Sequence, residues 1–292
     1  MHDPYFTRLA AALKRAGLNR PTLVIDRQRL NANIAAIRKS TDAAKLSLRV
    51  VAKSLPSPRL LETIMTGMGT QRLMVFSAEM LLQILPLHPQ ADYLMGKPLP
   101  VSELVRVAKR AGIQAAAQIQ WLIDTPERLV QYSEIAKALG IVLRINFEID
   151  VGLHRGGFVD GRALARALEL AKSAGCDVAG LMGYDPHIPK MPDPDKAHSA
   201  AQEAYRTAVV MLKATGLDSE KLTLNSAGSP TFRRHCNGTA ANEVSVGSAF
   251  VKPGDFDYPD LADLTSAAFI ATPVLKADND HPLPGVEALS GA

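Results

Sequence analysis

The sequence predicts an α/β fold of the (β/α)8, TIM-type barrel class. Short apolar runs recur along its 292 residues, and longer stretches with apolar residues at every third or fourth position lie between them, as on an amphipathic helix. Such alternation implies right-handed βαβ units and a parallel sheet. Eight runs suit a closed barrel, because an open dinucleotide-binding sheet usually has fewer strands and a GxGxxG turn, which this sequence lacks.

The eight apolar runs are the predicted strands. They span residues 48–52, 73–76, 92–95, 114–119, 141–149, 178–184, 222–225 and 244–250. The fourth run, QAAAQI, contains three consecutive alanines and also fits a helix in part. Helical spacing is clear at 126–139 and 161–173, and the first twenty residues predict a short amphipathic helix.

The pattern also predicts a division of the chain into three segments. We expect an N-terminal helix over 1–20, the barrel domain over 21–255, and the start of a β-rich C-terminal domain over 256–292. This last segment contains one predicted strand, residues 267–276, and then polar sequence with Pro and Gly. The fold class is therefore a barrel followed by an incomplete C-terminal β segment.

Composition excludes several classes of protein. The 33 Lys and Arg and 29 Asp and Glu are scattered, so the net charge of +4 gives no support for a nucleic-acid partner. No apolar window approaches ~18 residues, so we expect no membrane span. The first residues do not form a secretory signal. Cys176 and Cys236 fit neither a disulfide framework nor a zinc motif, which predicts a cytoplasmic protein.

In a barrel of this kind, catalytic residues lie at the C-terminal ends of the strands. Lys53 follows the first run, Arg155 lies in the segment DVGLHRGGF after the fifth, and Tyr184 ends the sixth. A lysine directly after a buried strand is partly desolvated, which lowers its pKa toward an amine able to form a Schiff base. The alternatives are a solvated lysine, an ion pair of Arg155 with Asp150, and a tyrosine that packs with its hydroxyl exposed.

Small residues and hydroxyls follow the seventh run and occupy the eighth. They are Asn225, Ser226, Gly228, Ser229, Ser245, Gly247 and Ser248. Backbone N–H groups and hydroxyls at such positions can approach phosphate oxygens closely, although the segment 225–229 also fits an ordinary turn. A phosphate cradle, a lysine and an arginine at the same end of one barrel together suit pyridoxal phosphate.

Six segments carry a resemblance to a known family. They are TLVIDRQRLNANI (22–34), VVAKS (50–54), EIDVGLHRGGF (148–158), GLMGY (180–184), NSAG (225–228) and EVSVGSAF (243–250). These segments resemble the alanine racemase-type, fold-type III pyridoxal phosphate enzymes, and most of all the D-threonine aldolase and D-serine dehydratase branch. The similarity runs in order from about residue 20 to about residue 275, so the barrel domain is expected to bind the cofactor.

The resemblance implies roles for individual residues. Lys53 would hold the cofactor through a Schiff base and Arg155 would bond the phenolic oxygen of its ring, while Ser226, Gly228, Gly247 and Ser248 would surround the phosphate. The predicted cofactor-binding residues are Lys53, Arg155, Tyr184, Asn225, Ser226, Gly228, Ser229, Ser245, Gly247 and Ser248. Lys53 and Tyr184 are also the predicted catalytic residues.

Two departures favour one branch of the family. Racemases that resemble this sequence have an arginine where Ser245 stands and a histidine where Tyr184 stands. An uncharged partner at the ring nitrogen is more typical of the lyases. The expected function is therefore a pyridoxal phosphate-dependent lyase, an aldolase or dehydratase, acting on small D-configured β-hydroxy amino acids. The alternatives are a non-catalytic pyridoxal phosphate homeostasis protein, an amino-acid racemase, and a barrel enzyme for another phosphorylated ligand.

The resemblance also concerns a second domain. Related enzymes continue into a β-rich domain of roughly a hundred residues, which supplies a divalent-metal site and parts of a homodimer. The eighth run ends at residue 250 of 292, so we expect a truncated second domain. A homodimer is the expected assembly where that domain is present. No metal ligand is predicted, because His281 is a lone histidine and neither His88 nor His235 has a partner at ligand spacing. His187 lies in a Pro-rich loop that is either solvated or covers the barrel mouth.

Overall fold

The computed structural model describes residues 3–55 and 57–276 and contains a closed barrel of eight parallel strands. The strands of the chain are β1 (Thr22–Ile25), β2 (Ser47–Val51), β3 (Arg72–Val75), β4 (Asp92–Met95), β5 (Gln120–Ile123), β6 (Arg144–Ile149), β7 (Asp177–Gly183), β8 (Thr223–Ser226), β9 (Glu243–Val246) and β10 (Ala268–Ala271). Strands β2 to β9 pair in sequence order, and β9 closes on β2. The predicted barrel class is confirmed.

Ten α-helices lie in the part of the chain that the structure describes. They are α1 (Pro4–Arg15), α2 (Arg27–Ala43), α3 (Pro58–Met68), α4 (Ala78–Ile84), α5 (Val101–Ala111), α6 (Ile113–Gln118), α7 (Pro126–Leu139), α8 (Gly161–Ser173), α9 (Pro194–Ala214) and α10 (Phe232–Cys236). Many begin at a Ser, Thr or Asp whose side chain accepts an N–H of the first turn, as Thr125 does for α7. None of these described helices is long and apolar enough to cross a membrane.

The chain forms two compact units. The larger unit, residues 27–267, contains the barrel and its helices. The smaller unit joins residues 3–26 to residues 268–276, and in it β1 pairs with β10 in antiparallel orientation. The strand predicted at 267–276 is shorter than expected, because Pro273 has no N–H to donate to a ladder. The division at residues 20 and 255 stays a prediction, and His281 lies outside the described residues.

The strand predicted at residues 114–119 is wrong. Residues 113–118 form α6, and the strand is β5, with the sequence QWLI. Alanine has the highest helix propensity, so the three alanines favour the helix. Trp121, Leu122 and Ile123 are fully buried and supply the apolar run, and Trp121 Nε1 donates a hydrogen bond to the Ala116 carbonyl oxygen at 2.8 Å. The predicted helices over 126–139 and 161–173 are confirmed.

A buried arginine lies inside the barrel. Arg49 on β2 is 0% exposed, and its Nε donates to Glu243 Oε1 on β9 at 2.6 Å. Its Nη2 donates to Asp92 Oδ2 on β4 at 2.6 Å. Burial raises the pKa of Asp92, but the charge and hydrogen bonds of Arg49 outweigh this effect and lower that pKa to about 2. Arg49 thus faces two carboxylates, and Arg72, 3.4 Å from Glu243, and Arg144, 3.2 Å from Asp92, supply the remaining positive charge.

The polar group continues toward the C-terminal ends of the strands. Asn225 Nδ2 on β8 donates to Glu243 Oε1 at 2.7 Å and to Ser245 Oγ at 2.8 Å. Ser245 Oγ in turn donates to Asn225 Oδ1 at 3.0 Å. Both side chains are buried. Glu243, which pairs with Arg49, fixes the orientation of Asn225, and Asn225 in turn fixes that of Ser245.

Replacing Arg49 by methionine should destabilise the barrel strongly. The side chain keeps much of its volume, but the Glu243 and Asp92 carboxylates lose their buried cation. We expect the free energy of unfolding, measured by urea denaturation, to fall by about 3–5 kcal/mol. The control is Arg106→Met, which removes an exposed pair with Glu79 and should change stability by less than about 1 kcal/mol. Equal effects of the two substitutions would contradict this account.

Candidate functional site

A cavity of about 220 Å³ lies at the C-terminal ends of the barrel strands. Nine of the ten residues predicted from the sequence line it: Lys53, Arg155, Tyr184, Asn225, Gly228, Ser229, Ser245, Gly247 and Ser248. The tenth, Ser226, does not. Successive residues of a strand point to opposite faces, so Ser226 lies on the face of β8 opposite to Asn225. The structure thus brings the predicted residues together, and their roles toward a ligand remain proposals.

Lys53 enters the cavity from a single 3₁₀ turn, Ala52–Ser54, that follows β2. Its Nζ lies 4.0 Å from the centroid of the Phe76 ring and 6.0 Å from that of the Tyr184 ring. Partial burial lowers the pKa of Lys53, and the positive charges of Arg155 and Lys97 lower it further. The amine is therefore neutral more often than that of an ordinary lysine, which is the property a nucleophilic lysine needs.

Arg155 is held by a carboxylate that the sequence did not reveal. Its Nη2 donates to Glu148 Oε1 at 2.6 Å, and its guanidinium carbon lies 4.9 Å from the centroid of the Tyr184 ring. The alternative ion pair with Asp150 is wrong. Asp150 instead accepts two backbone N–H groups of its own loop and pairs with His154 Nδ1 at 2.8 Å. Glu148 stands near the end of an apolar strand, and that position was the available signal.

Tyr184 forms one wall of the cavity. A Cβ added to Gly228 would lie 2.6 Å from Cε2 of this ring, so the absence of a side chain at position 228 lets the ring occupy its place. Burial raises the pKa of Tyr184, while the charge of Arg155 opposes that rise. The tyrosine is half-buried and lines the cavity, as the prediction of a pocket residue requires.

Ser229 joins the loop after β8 to the turn after β9. Its Oγ accepts the N–H of Gly247 and the N–H of Ala249, each at 3.0 Å. Because both bonds use the oxygen as acceptor, the hydroxyl hydrogen is free to donate elsewhere. Ser229 and Ser248 both line the cavity, so this corner can offer hydroxyl donors to an anion.

Positive charge dominates the lining. Lys53, Arg155 and Lys190 line the cavity with one acidic side chain, Asp255. The structure thus favours an anionic ligand. Lys190 was not predicted individually, because it lies in the Pro-rich loop after β7, where the sequence carries no periodic signal. His187 of the same loop is absent from the lining, and its ring lies against Gly152.

A second polar group was missed behind the cavity wall. His235 Nε2 lies 2.8 Å from Asp185 Oδ2, and the His198 ring lies 5.1 Å from the His235 ring between centroids. His235 has no partner at ligand spacing in the sequence, and the structure gives it Asp185 as a partner in space. Asp185 and His235 are 50 residues apart, so local spacing could not show the contact. His88 belongs to no such group among the described residues; its Nδ1 lies 3.6 Å from Glu62 Oε2.

The fold and the site define a class: a barrel protein with a low-pKa lysine in a cation-lined cavity at the C-terminal strand ends. Residues 25–253 match the family "Alanine racemase, N-terminal domain", and the chain belongs to that family. This is a fold-type III pyridoxal phosphate family, as the resemblance implied.

Known proteins of several activities are similar to this chain. It is 23% identical over 275 residues to the D-threonine aldolase of Arthrobacter sp, covering 91% of this chain and 71% of that protein. The structure of D-threonine aldolase from Filomicrobium marinum matches with a TM-score of 0.73 and 22% identity, covering 86% of this chain and 68% of that one.

Two further solved structures share the fold. D-threo-3-hydroxyaspartate dehydratase from Delftia sp. HT23 has a TM-score of 0.71 and 17% identity, with 87% of this chain and 67% of that one covered. The alanine racemase of Clostridium difficile 630 in complex with cycloserine has a TM-score of 0.71 and 16% identity, with 87% and 68% covered.

The lowered pKa of Lys53 predicts early reaction with an amine-selective reagent. In protein dialysed against hydroxylamine to remove any carbonyl compound, we expect labelling of Lys53 to begin at lower pH than labelling of exposed Lys45. Peptide mass spectrometry measures both in one digest. Arg155→Gln removes a positive neighbour and should shift the labelling of Lys53 to higher pH. Labelling of Lys53 and Lys45 over the same pH range would contradict the assignment.

Proposed function

We propose that the protein is a pyridoxal phosphate-dependent lyase that acts on small D-configured β-hydroxy amino acids by aldol cleavage or dehydration. The observation that carries the proposal is the position of Lys53. Its low-pKa amine lies in one cavity with Arg155 and with the hydroxyls that follow β8 and β9. Family membership supports the cofactor, and the names of the similar proteins support the substrate class.

The lining residues fit pyridoxal phosphate in both charge and donor type. The excess of cations suits a phosphorylated anion, and Ser229 and Ser248 would donate to the phosphate. Lys53 would bind the aldehyde carbon covalently, and Arg155 would face the phenolic oxygen of the ring. Ser245 would stand at the ring nitrogen, where its neutral hydroxyl is held by Asn225. Ser226 drops out of the cofactor-binding set, because it does not line the cavity.

The proposed chemistry assigns a proton to Lys53. Bound pyridoxal phosphate withdraws electrons from the substrate Cα and so allows a bond at Cα or Cβ to break. When its amine is not bound to the cofactor, Lys53 would act as the base, because its lowered pKa leaves the amine neutral more often than that of an ordinary lysine. Tyr184 lines the same cavity, and the guanidinium carbon of Arg155 lies 4.9 Å from the centroid of its ring. The cation-lined cavity would also hold the substrate carboxylate.

The racemase is the second candidate. The alanine racemase of Clostridium difficile 630 matches this fold as closely as the Delftia dehydratase does, with a TM-score of 0.71 for each. The residue at Ser245 distinguishes the two candidates. Ser245 is an uncharged hydroxyl held by Asn225, as in the lyase branch of the resemblance, whereas the racemases of this resemblance carry an arginine there. We therefore place the lyase first.

Lys53→Ala should abolish the visible chromophore of the protein loaded with pyridoxal phosphate. Lys190→Ala is the matched control, because Lys190 is another lysine that lines the same cavity, and it should keep the chromophore. Borohydride reduction followed by peptide mapping should find the pyridoxyl group on Lys53 alone. A pyridoxyl group on another lysine, or a chromophore that survives in Lys53→Ala, would falsify the assignment.

Product analysis distinguishes the candidate reactions. With D-threonine we expect glycine and acetaldehyde, or with D-serine and D-threo-3-hydroxyaspartate a 2-oxo acid and ammonia. Each substrate is tested with and without a divalent metal, and Lys53→Ala is the inactive control. L-alanine formed from D-alanine would favour the racemase instead. A protein that keeps its chromophore and forms none of these products is a cofactor carrier, and the lyase proposal is then wrong.

A further inference from the structure

Three potential metal ligands converge outside the cavity. Asp185 directly follows β7 and the cavity residue Tyr184, His198 lies near the start of α9, and His235 lies on α10. One carboxylate oxygen and one nitrogen from each ring lie within 4.8 Å of one another. Asp185 and His235 are buried, with 0% and 1% exposure, and His198 is half-buried. Two imidazoles and a carboxylate thus meet in the wall of the barrel.

The ligand atoms of the two buried residues are already oriented by other groups. Asp185 Oδ1 accepts the hydroxyl hydrogen of Thr231 at 2.6 Å, which leaves Oδ2 toward His235 Nε2. The other ring nitrogen of His235, Nδ1, shares a hydrogen bond with Thr239 Oγ1 at 2.8 Å. Such outer contacts are the usual support of metal ligands, because they fix the tautomer and the direction of the imidazole.

His198 supplies the second, independent observation. Its Nδ1 is buried and has no hydrogen-bond partner among the described residues. A buried polar atom without a partner carries a desolvation cost. A bound ion or water removes that cost by supplying the missing partner. One ring nitrogen of His198 lies within 4.8 Å of a ligand atom of His235 and of Asp185.

We propose that Asp185, His198 and His235 bind one divalent transition-metal ion, with Zn²⁺ as the best fit. Imidazole nitrogen and carboxylate oxygen are zinc ligands, whereas Mg²⁺ and Ca²⁺ prefer sites made of oxygen alone. The 2.8 Å between Asp185 Oδ2 and His235 Nε2 is within a few tenths of the roughly 3.3 Å that separates two tetrahedral zinc ligands at ordinary bond lengths. The metal would replace their hydrogen bond, and water would complete the coordination.

This site is separate from the proposed cofactor site. It lies in the barrel, whereas the metal ligands implied by the resemblance belong to the C-terminal segment. It nevertheless connects to the cavity loop, because Thr231 Oγ1 bonds both Asp185 Oδ1 and the Gly228 N–H, the latter at 3.1 Å. A bound metal would therefore stabilise the folded barrel and fix the loop that carries Gly228 and Ser229.

The test measures metal binding directly and without activity. Protein without a polyhistidine tag is freed of metal with a chelator, passed through a desalting column and titrated with ZnCl₂ by calorimetry. Titration with Co²⁺ reports the same site through its visible ligand-field absorption. We expect one Zn²⁺ per chain and a higher midpoint of thermal unfolding with Zn²⁺ present.

Variants locate the metal. His198→Ala should weaken Zn²⁺ binding by about tenfold or more, and its half-buried position makes a folded variant the expected result. Asp185→Asn keeps the shape of the side chain and should also weaken binding, which preserves the test if one variant does not fold. His88→Ala is the control and should bind as the unchanged protein does.

Three outcomes would overturn the proposal. They are no Zn²⁺ bound by the unchanged protein, unaltered affinity in both His198→Ala and Asp185→Asn, and loss of binding in His88→Ala. Because the titrations read metal binding in protein with or without pyridoxal phosphate, a failure here leaves the cofactor and the lyase reaction untouched. Loss of the Lys53 chromophore likewise says nothing about the metal.

Discussion

The buried ion pair between Arg49 and Glu243 spans the seam at which the barrel closes. Arg49 is on β2, the first barrel strand, and Glu243 is on β9, the last one, and these strands pair directly. Neither charge tolerates the barrel interior alone, because removal from water costs several kcal/mol per ion. Arg49 also pairs with Asp92 on β4, but Glu243 meets its cations, Arg49 and Arg72, only when the seam is closed. Closing the barrel between β2 and β9 therefore also neutralises the buried charge of Glu243.

The same carboxylate links the floor of the barrel to the site. Glu243 accepts from Asn225, and Asn225 and Ser245 exchange hydrogen bonds at the base of the cavity. Above them, the cations and hydroxyls come from separate strand ends. The barrel fixes these ends relative to one another, so residues distant in sequence present a single charged surface. Rigid positioning by the scaffold is what a site for covalent cofactor chemistry needs.

Local sequence predicted what depends on local structure. The helix over 126–139 was predicted correctly from the spacing of its apolar residues, and in the structure Thr125 caps its first turn and Gly140 ends it in the left-handed region. Lys53 and Tyr184 were found because they directly follow strands. The fourth barrel strand was predicted too early in the sequence. The three alanines of α6 lie close before the apolar residues of β5, so the sequence pattern does not show where the helix ends and the strand begins. Glu148 was missed because the loop after β6 turns Arg155 back onto it, and spacing alone does not show that turn. The Asp185–His235 contact was missed because it joins residues 50 apart in the sequence.

The close approach of Tyr184 to Gly228 makes two positions dependent on each other. A methyl group at position 228 overlaps the tyrosine ring, and a smaller residue at position 184 would open that space again. Substitutions at the two positions should therefore occur together among functional relatives. An effort to reshape this wall for bulkier substrates would vary both positions in one library, because a side chain at position 228 fits only beside a smaller residue at position 184. The width of the cavity at this wall therefore depends on the residues at positions 184 and 228 together.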